Sequence, residues 1–194
     1  MKAKGFKNYQ AVVIGTSAGG LKALKVILEN LPDSFYLPII IVQHLNPQSD
    51  GFLAQYLNQH SSLNVKEAES GEPIVQKHVY IAPANYHLLV EKNRSLSLTV
   101  SEKVNYARPS IDLLFESAAE VFLNALIGIL LTGANDDGSR GIAKIKHFGG
   151  LTIAQNPESA EVNMMPVSAI KTGKVDIVLH LEEIPAMLAS LCKS

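Results

Sequence analysis

A serine near the start of the chain stands in a glycine-rich turn, GTSAGG at residues 15–20. The turn fits G-x-S-x-G, a pattern in which a sharp strand-to-helix turn exposes a serine hydroxyl. The unpaired amides at the start of the following helix would face an oxyanion formed beside it. The turn therefore predicts Ser17 as a nucleophile. The alternative is a nucleotide- or phosphate-binding module, although G-x-G-x-x-G requires glycine where Ser17 stands.

A serine hydroxyl is a poor nucleophile until a base takes its proton. His44 directly follows the apolar run PIIIV at residues 38–42, and His180 follows the run VDIVL, so both are candidates by position. The remaining histidines do not follow a predicted parallel strand, and we expect surface or packing roles for them: His60, His78, His87 and His147.

Two carboxylates, Asp136 and Asp137, follow a third apolar run that ends at Leu131. A buried aspartate at this point can orient a histidine and stabilise its protonated form. It can also cap the helix predicted over 138–148. We expect one aspartate in each role. The chain order Ser, His, Asp differs from that of the α/β-hydrolases, chymotrypsin and subtilisin, but a triad is defined by geometry.

The elements that must position these residues follow from hydrophobic periodicity. Apolar runs typical of strands buried on both faces alternate with amphipathic helical segments, which predicts an α/β fold with a mainly parallel sheet and helices on both faces. Ligands bind such folds at the carboxyl ends of the strands. Ser110 is expected to cap a helix that begins at Ile111. The short runs between 63 and 101 predict an antiparallel excursion, with a hairpin turn at 92–95.

Composition limits the class of protein. The chain has 194 residues, 47% of them hydrophobic, and a net charge of −1, which indicates one globular domain with a loosely held N-terminus of about eight residues. The balanced charge gives no sign of nucleic-acid binding. Cys192 is the only cysteine, which excludes an internal disulfide framework and a cysteine-based zinc site.

No apolar run approaches the roughly 20 residues of a membrane span, so we expect a cytoplasmic protein. No metal-binding motif stands out, and we expect neither a metal nor a cofactor.

Seven blocks in order give the sequence a specific resemblance. It resembles the catalytic domain of the chemotaxis protein-glutamate methylesterases, the CheB family. The blocks are VVIGTSAGG at 12–20, IIVQHLNP at 40–47, VYIAPANYHLLV at 79–90, RPSIDLLF at 108–115, LLTGANDDGSRG at 130–141, TIAQNPESAEVNMMP at 152–166 and AIKTGKVDIVL at 169–179.

The resemblance implies a doubly wound, three-layer sandwich with an antiparallel β-hairpin. It also implies hydrolysis of glutamate γ-methyl esters on chemoreceptors, and some members deamidate receptor glutamines. The family nucleophile falls on Ser17, the base on His44 and the orienting acid on Asp137, which favours His44 over His180 and Asp137 over Asp136.

We expect the oxyanion to be held by the backbone amides of Ala18, Gly19 and Ala134. In the acid loop, Ala134 replaces the usual methionine of the family, which leaves the backbone donor in place. Asn135 replaces a glycine and is expected to alter the conformation of this loop.

The substrate must reach the site on a receptor helix, so we expect an exposed rim that includes Asn46, Met164 and Met165. The two methionines fit a core position equally well.

The chain begins directly at the esterase strand, without the receiver domain that usually precedes it in this family. Either the sequence is part of a longer chain, or the protein is a stand-alone esterase regulated by a separate partner, for which a receiver domain or a methyltransferase is expected. The alternative function is a catalytically silent domain that docks receptors or a methyltransferase. Neither reading involves nucleic acid or membrane insertion.

Overall fold

The computed structural model describes residues 8–46, 48–49 and 51–192. Nine strands alternate with six α-helices over these ranges. The strands are β1 Ala11–Thr16, β2 Ile39–Gln43, β3 Asn64–Glu67, β4 His78–Ile81, β5 His87–Val90, β6 Leu96–Thr99, β7 Leu126–Leu130, β8 Leu151–Gln155 and β9 Ile177–Leu179. The helices are α1 Gly20–Glu29, α2 Phe52–Asn58, α3 Ile111–Phe122, α4 Ser139–His147, α5 Met164–Lys171 and α6 Ile184–Leu191.

Seven strands form one parallel sheet in the order β3-β4-β2-β1-β7-β8-β9. The first strand lies at the centre: Ile14 is in register with Ile41 of β2 on one side and with Ile129 of β7 on the other. The chain thus builds outward from β1 in both directions, as in other doubly wound folds. The carboxyl ends of β2, β1 and β7 are adjacent at the switch point.

The core has two halves, one on each face of this sheet. Val12 and Ile14 of β1 pack against α1, α2 and α6, whereas Ala11 and Val13 pack against α3, α4, α5 and the hairpin. All four side chains are fully buried. A strand that buries both faces must be apolar at every position, which explains why the central strands appear as continuous runs in the sequence. The predicted three-layer α/β sandwich is confirmed.

The antiparallel excursion predicted between residues 63 and 101 is only half right. The hairpin of β5 and β6 exists as a separate two-stranded antiparallel sheet with its turn at 91–95. In contrast, β3 and β4 are parallel and extend the main sheet beside β2. Short strands with intermediate burial do not reveal their direction from periodicity, because both kinds of ladder have a side-chain period of two.

Glycines, rather than the expected polar side chains, begin two of the helices. Gly51 precedes α2 with φ 82°, and Gly138 precedes α4 with φ 94°, both in the left-handed region that glycine tolerates. Ser49 and Asp50, just before α2, also have the residue types of a cap; Ser49 is not the residue that precedes the helix, and Asp50 lies outside the described residues.

In the part of the chain that the structure describes, none of the helices has the length and apolar character needed to cross a bilayer. The expectation of a loosely held N-terminus concerns mainly residues 1–7, which lie outside the described residues.

Candidate active site

The three predicted chemical residues follow three adjacent strands of the sheet. Ser17 comes directly after β1, His44 directly after β2, and Asp137 lies in the loop after β7. The ladder continues past the strand ends: the His44 amide donates to the Thr16 carbonyl at 3.0 Å, and the Ser17 amide donates to the Thr132 carbonyl at 3.0 Å. These bonds fix the first residues of all three loops against one another.

His44 and Asp137 form a direct hydrogen bond. The distance from His44 Nε2 to Asp137 Oδ2 is 2.9 Å; the carboxylate is fully buried and the imidazole keeps 14% of its side-chain exposure. Because a carboxylate only accepts, Nε2 holds the proton in this pair. The other ring nitrogen, Nδ1, is then free to accept a proton, which is the state that a general base requires.

The start of helix α3 surrounds the Asp137 carboxylate with donors. The Ser110 hydroxyl and the Asp112 amide donate to Oδ1 at 3.1 Å each, and the Ile111 amide donates to Oδ2 at 2.8 Å. Ser110 therefore does not cap its own helix as expected: its side chain makes no cap bond, and a residue from a distant loop accepts the amides instead. The partial positive charge of a helix N-terminus favours an anion at this position.

These contacts set the ionisation of Asp137. Burial alone raises the pKa of this carboxyl, but the hydrogen bonds from His44, Ile111 and Asp112 outweigh it and hold the pKa below its usual range. Asp137 therefore remains a carboxylate at neutral pH, and it can stabilise a positive charge on His44.

Ser17 lies in an open groove of about 560 Å³ that His44 also lines. Gly19, Lys22 and Glu161 form other parts of its wall. Among the residues that the structure describes, no hydrogen bond joins the Ser17 hydroxyl to the imidazole. The structure thus brings Ser17 and His44 into one cavity and His44 and Asp137 into contact.

The expected oxyanion donors are available. The backbone amides of Ala18, Gly19 and Ala134 donate to no other group in the described part of the chain. Gly19 precedes α1 in the left-handed region, with φ 81°. Exposed Ala18 and half-buried Gly19 line the groove beside Ser17, so a ligand there has access to their unpaired N–H groups, whereas exposed Ala134 lines a separate pocket with Asn135 and Met164.

Sequence reasoning missed Gln43, the last residue of β2. Its side-chain amide donates to the carbonyl oxygens of Ser17 at 2.8 Å and His44 at 2.9 Å, and thereby links the two loops. Its Oε1 is buried without a hydrogen-bond partner among the described residues. The available signal was a polar side chain at the end of an apolar run, because a buried polar group requires partners.

Thr132 performs a similar task on the other side of Ser17. Its hydroxyl donates to the Ala18 carbonyl at 2.8 Å and accepts from the Val162 amide at 2.9 Å. The turn that presents Ser17 is thus held by side chains from both neighbouring strand ends.

Asn135, at the position where the resemblance predicts a glycine, lies next to Nδ1 of His44. Its amide nitrogen is 3.5 Å from His44 Nδ1, and its Oδ1 accepts from the Asp137 amide at 3.2 Å. The substitution therefore adds a polar side chain beside the nitrogen that would act as base.

The three residues expected at the rim differ in their exposure to solvent. Asn46 and Met164 are exposed, Met164 by 54%. Met165 is fully buried, and its thioether lies over Gly133, so its assignment to the rim is wrong. Consecutive residues on a helix point about 100° apart, which places one methionine of α5 outside and the next inside.

The rival residues lie elsewhere. His180 follows β9 at the edge of the sheet, where its Nε2 is 3.1 Å from the Asn156 amide. Asp136 is exposed and does not cap α4, which has no side-chain cap; only its backbone carbonyl accepts, from Ser139. The expectation that one aspartate caps this helix is therefore wrong, because Gly138 takes the cap position. Over the described ranges, no group of three or more His, Cys, Asp and Glu side chains is arranged to hold a metal.

Comparison with known proteins identifies the family to which the chain belongs. The family model described as CheB methylesterase matches residues 12–188. A Leptospira interrogans protein, named provisionally as a protein-glutamate methylesterase/protein-glutamine glutaminase, is 50% identical over 184 residues that cover 95% of each chain. The Thermotoga maritima protein-glutamate methylesterase/protein-glutamine glutaminase is 41% identical over 183 residues, which are 93% of this chain and 53% of that protein.

A solved structure extends the match to three dimensions. The crystal structure of the Thermotoga maritima CheB methylesterase catalytic domain superimposes with a TM-score of 0.90 at 40% identity, over 94% of this chain and 98% of that one. The chain thus spans nearly the whole Leptospira relative and about half of the full Thermotoga protein. On the family model, the identities and the shared fold, the chain belongs to the CheB methylesterase family.

Proposed function

We propose that the protein is a serine hydrolase that removes methyl groups from glutamate γ-methyl esters of chemoreceptors. The observation that carries the proposal is the buried Asp137–His44 pair at the groove that contains Ser17. The names of the relatives supply the substrate class.

The first half of the reaction forms an acyl-enzyme. Ser17 Oγ attacks the ester carbonyl carbon while His44 Nδ1 takes the hydroxyl proton, and Asp137 stabilises the resulting imidazolium. The amides of Ala18, Gly19 and Ala134 donate to the oxyanion, and one such donor is typically worth about 3 kcal/mol of barrier. The tetrahedral intermediate collapses, the C–O bond to the methoxy group breaks, and His44 returns its proton to release methanol.

The second half reverses these roles with water. His44 removes a proton from a water molecule that attacks the acyl carbon, and the Ser17 oxygen leaves with the proton from the imidazolium. The product is a free glutamate side chain. No step requires a group beyond those of this chain and water.

The same acyl-enzyme also accounts for a second reaction. A glutamine carboxamide would lose ammonia where the ester loses methanol, and deacylation is identical. The relatives are named for both activities, so we propose that receptor glutamines are deamidated at this site as well.

The decisive experiment measures methanol release from a methylated receptor fragment. We expect release by the wild-type protein and none by Ser17→Ala, with equal thermal stability of the two proteins. A serine-reactive phosphonate should label Ser17 of the wild type. A protein that binds the fragment but neither releases methanol nor reacts with the phosphonate would instead be a silent docking domain.

A further inference from the structure

His87, at the start of β5, is a fully buried histidine outside the groove, and both its ring nitrogens are engaged. Nε2 lies 3.0 Å from the Glu102 carbonyl oxygen, and the Ser110 amide donates to Nδ1 at 3.1 Å. A carbonyl only accepts and an amide N–H only donates. The ring therefore has its proton on Nε2 and presents Nδ1 as an acceptor to the backbone of Ser110.

The segment that His87 binds is the one that holds the Asp137 carboxylate. The three donors to Asp137 other than His44 come from consecutive residues, the Ser110 hydroxyl and the amides of Ile111 and Asp112. The directions of these three donors depend on the position of Ser110, the first residue of the segment. The Ser110 amide itself donates to His87 and not to Asp137.

The hairpin thus has a polar connection to the site. Its two strands are not part of the main sheet; their side chains Leu88, Val90 and Leu96 pack against the apolar face of the sheet and α3, and the Val90 amide donates to the Ser117 hydroxyl at 3.1 Å. Apolar packing is not directional, whereas the bonds of His87 fix both an angle and a distance. A catalytic group displaced by about 1 Å can lose about 100-fold in rate, so such directional support has kinetic consequences.

We infer that His87 is a positioning residue for the hydrolytic reaction: by accepting the Ser110 amide it aligns the Asp137 carboxylate with His44. The inference rests on the proposed function, since it assigns to Asp137 its role beside the base. His87 itself touches neither substrate nor reacting atoms.

Two substitutions separate positioning from filling of space. In His87→Asn, the amide oxygen falls near the place of Nδ1 and still accepts from Ser110, while the bond to Glu102 is lost. In His87→Gln, the longer side chain retains a donor near the place of Nε2, while the acceptor for Ser110 is lost. Both variants remove one of two buried hydrogen bonds, so they are matched in structural damage.

The measurements are kcat and KM for methanol release from the methylated receptor fragment, together with the urea midpoint of each variant. We expect kcat of His87→Gln to fall about 10- to 100-fold with KM unchanged, and kcat of His87→Asn to stay within about threefold of wild type. The low-field proton resonance of the His44–Asp137 hydrogen bond should shift in His87→Gln and persist in His87→Asn. Equal kcat in the two variants, or losses that follow the urea midpoints, would overturn the inference.

His87→Met is the second variant, in case His87→Gln does not fold, because it also lacks the acceptor and introduces no polar side-chain atom, although the Glu102 carbonyl and the Ser110 amide both lose their partner. It should show the same loss of kcat. If neither folds while His87→Asn does, His87 serves the stability of the fold alone and the inference is wrong.

Phosphonate labelling of Ser17 keeps this test distinct from that of the proposed function. The labelling rate depends on the alignment of Ser17, His44 and Asp137 but not on the receptor. If the wild type labels rapidly and releases no methanol, the substrate assignment fails. The slower labelling expected of His87→Gln would still test the positioning role.

Discussion

The side-chain nitrogen of Gln43 lies 2.8 Å from the carbonyl oxygen of Ser17 and 2.9 Å from that of His44. One buried amide therefore binds the loop of the proposed nucleophile and the loop of the proposed base at the same time. The distance between these loops therefore depends on the Gln43 side chain as well as on the backbone hydrogen bonds between β1 and β2.

Replacement of Gln43 should therefore reduce activity more than substrate binding. In Gln43→Met the His44 carbonyl loses its side-chain donor, and we expect unfolding free energy to fall by about 1–3 kcal/mol and kcat by about 10-fold. Gln43→Glu has the same shape but places a carboxylate against two carbonyl oxygens, so its losses should be larger. Urea titrations and methanol-release kinetics measure these losses in both variants. A Gln43→Glu protein with wild-type kcat would show that Gln43 does not position the two loops.

Replacement of Gly20 tests the same role of the Gln43 side chain. A Cβ at this position would lie 1.8 Å from Gln43 Oε1 and 2.7 Å from Thr16 Oγ1, so Gly20→Ala must displace the Gln43 side chain. We expect Gly20→Ala to lower kcat in the wild-type background but to add little further loss to that of Gln43→Ala, because the collision with the Gln43 side chain is then absent. Independent, additive effects in this double-mutant cycle would show that Gly20 acts by another route.

Asp137→Asn should affect both catalysis and stability. The neutral amide cannot stabilise the imidazolium, so we expect kcat to fall by about three to four orders of magnitude. Its NH₂ group would also face a donor from Ile111 or Asp112, which should lower the unfolding free energy by about 1–3 kcal/mol. Ser17→Ala is the matched control, since it should abolish activity with no loss of stability. A stable and active Asp137→Asn protein would refute the role of this carboxylate.

Asp112, next to the site, should make stability fall as pH rises. Burial raises the pKa of Asp112 from its ordinary 3.8 to about 6; the Gly141 amide and Arg140 oppose this, and the negative charge on Asp137 adds to it. The folded protein thus binds a proton here that the unfolded chain has already lost between these two values. The stabilising contribution is complete below about pH 4 and is lost by about pH 6 to 7, worth about 3 kcal/mol in total.

Asp112→Asn should remove this dependence while it retains an acceptor for the Gly141 amide, which donates to Asp112 Oδ1 at 2.8 Å. The measurement is the difference in unfolding free energy between wild type and Asp112→Asn at pH 4, 5, 6 and 7. We expect the difference to shift against the wild type as pH rises, and parallel pH profiles would contradict the assignment. Asp137 has the opposite sign, because its lowered pKa stabilises the fold above pH 3.8 and ceases to do so only in stronger acid.

The two methionines of α5 should behave as opposites. Met165 is fully buried, so Met165→Ala should lower the unfolding free energy by about 2–5 kcal/mol. Met164→Lys should leave stability within about 0.5 kcal/mol, since the side chain is half exposed. If Met164 contacts the receptor, the lysine variant should hydrolyse a small ester normally and the methylated receptor fragment more slowly. Equal rates on both substrates would remove Met164 from the proposed rim.

The sequence revealed the parts of the molecule that local patterns determine. The central strands are continuous apolar runs because both faces of the sheet are covered, and Ser17 and His44 each stand directly after such a run. Since adjacent strand ends in a parallel sheet meet at one edge, their proximity followed from the pattern alone. The choice of His44 over His180 and of Asp137 over Asp136 came from the family resemblance, and position in the sheet supplies a physical reason for the first.

Features that depend on long-range packing stayed hidden. The bonds of Gln43 and His87 join residues from separate loops, and no local spacing encodes them. The Ser110 hydroxyl donates to Asp137 and accepts no amide of its own helix, because the carboxylate from 27 residues away is a stronger acceptor for those amides. The direction of β3 and β4 was likewise decided by their neighbour β2 and not by their own residues.

The two carboxylate oxygens of Asp137 accept hydrogen bonds from the beginning of helix α3 and also from the His44 imidazole. Substitutions at the beginning of α3 will therefore lower turnover even where they touch no reacting group. A mutational screen that measures turnover alone will assign catalytic roles to too many residues around 108–112. Denaturation measured beside turnover separates these residues from catalytic ones, because Ser17→Ala should lower turnover without lowering stability.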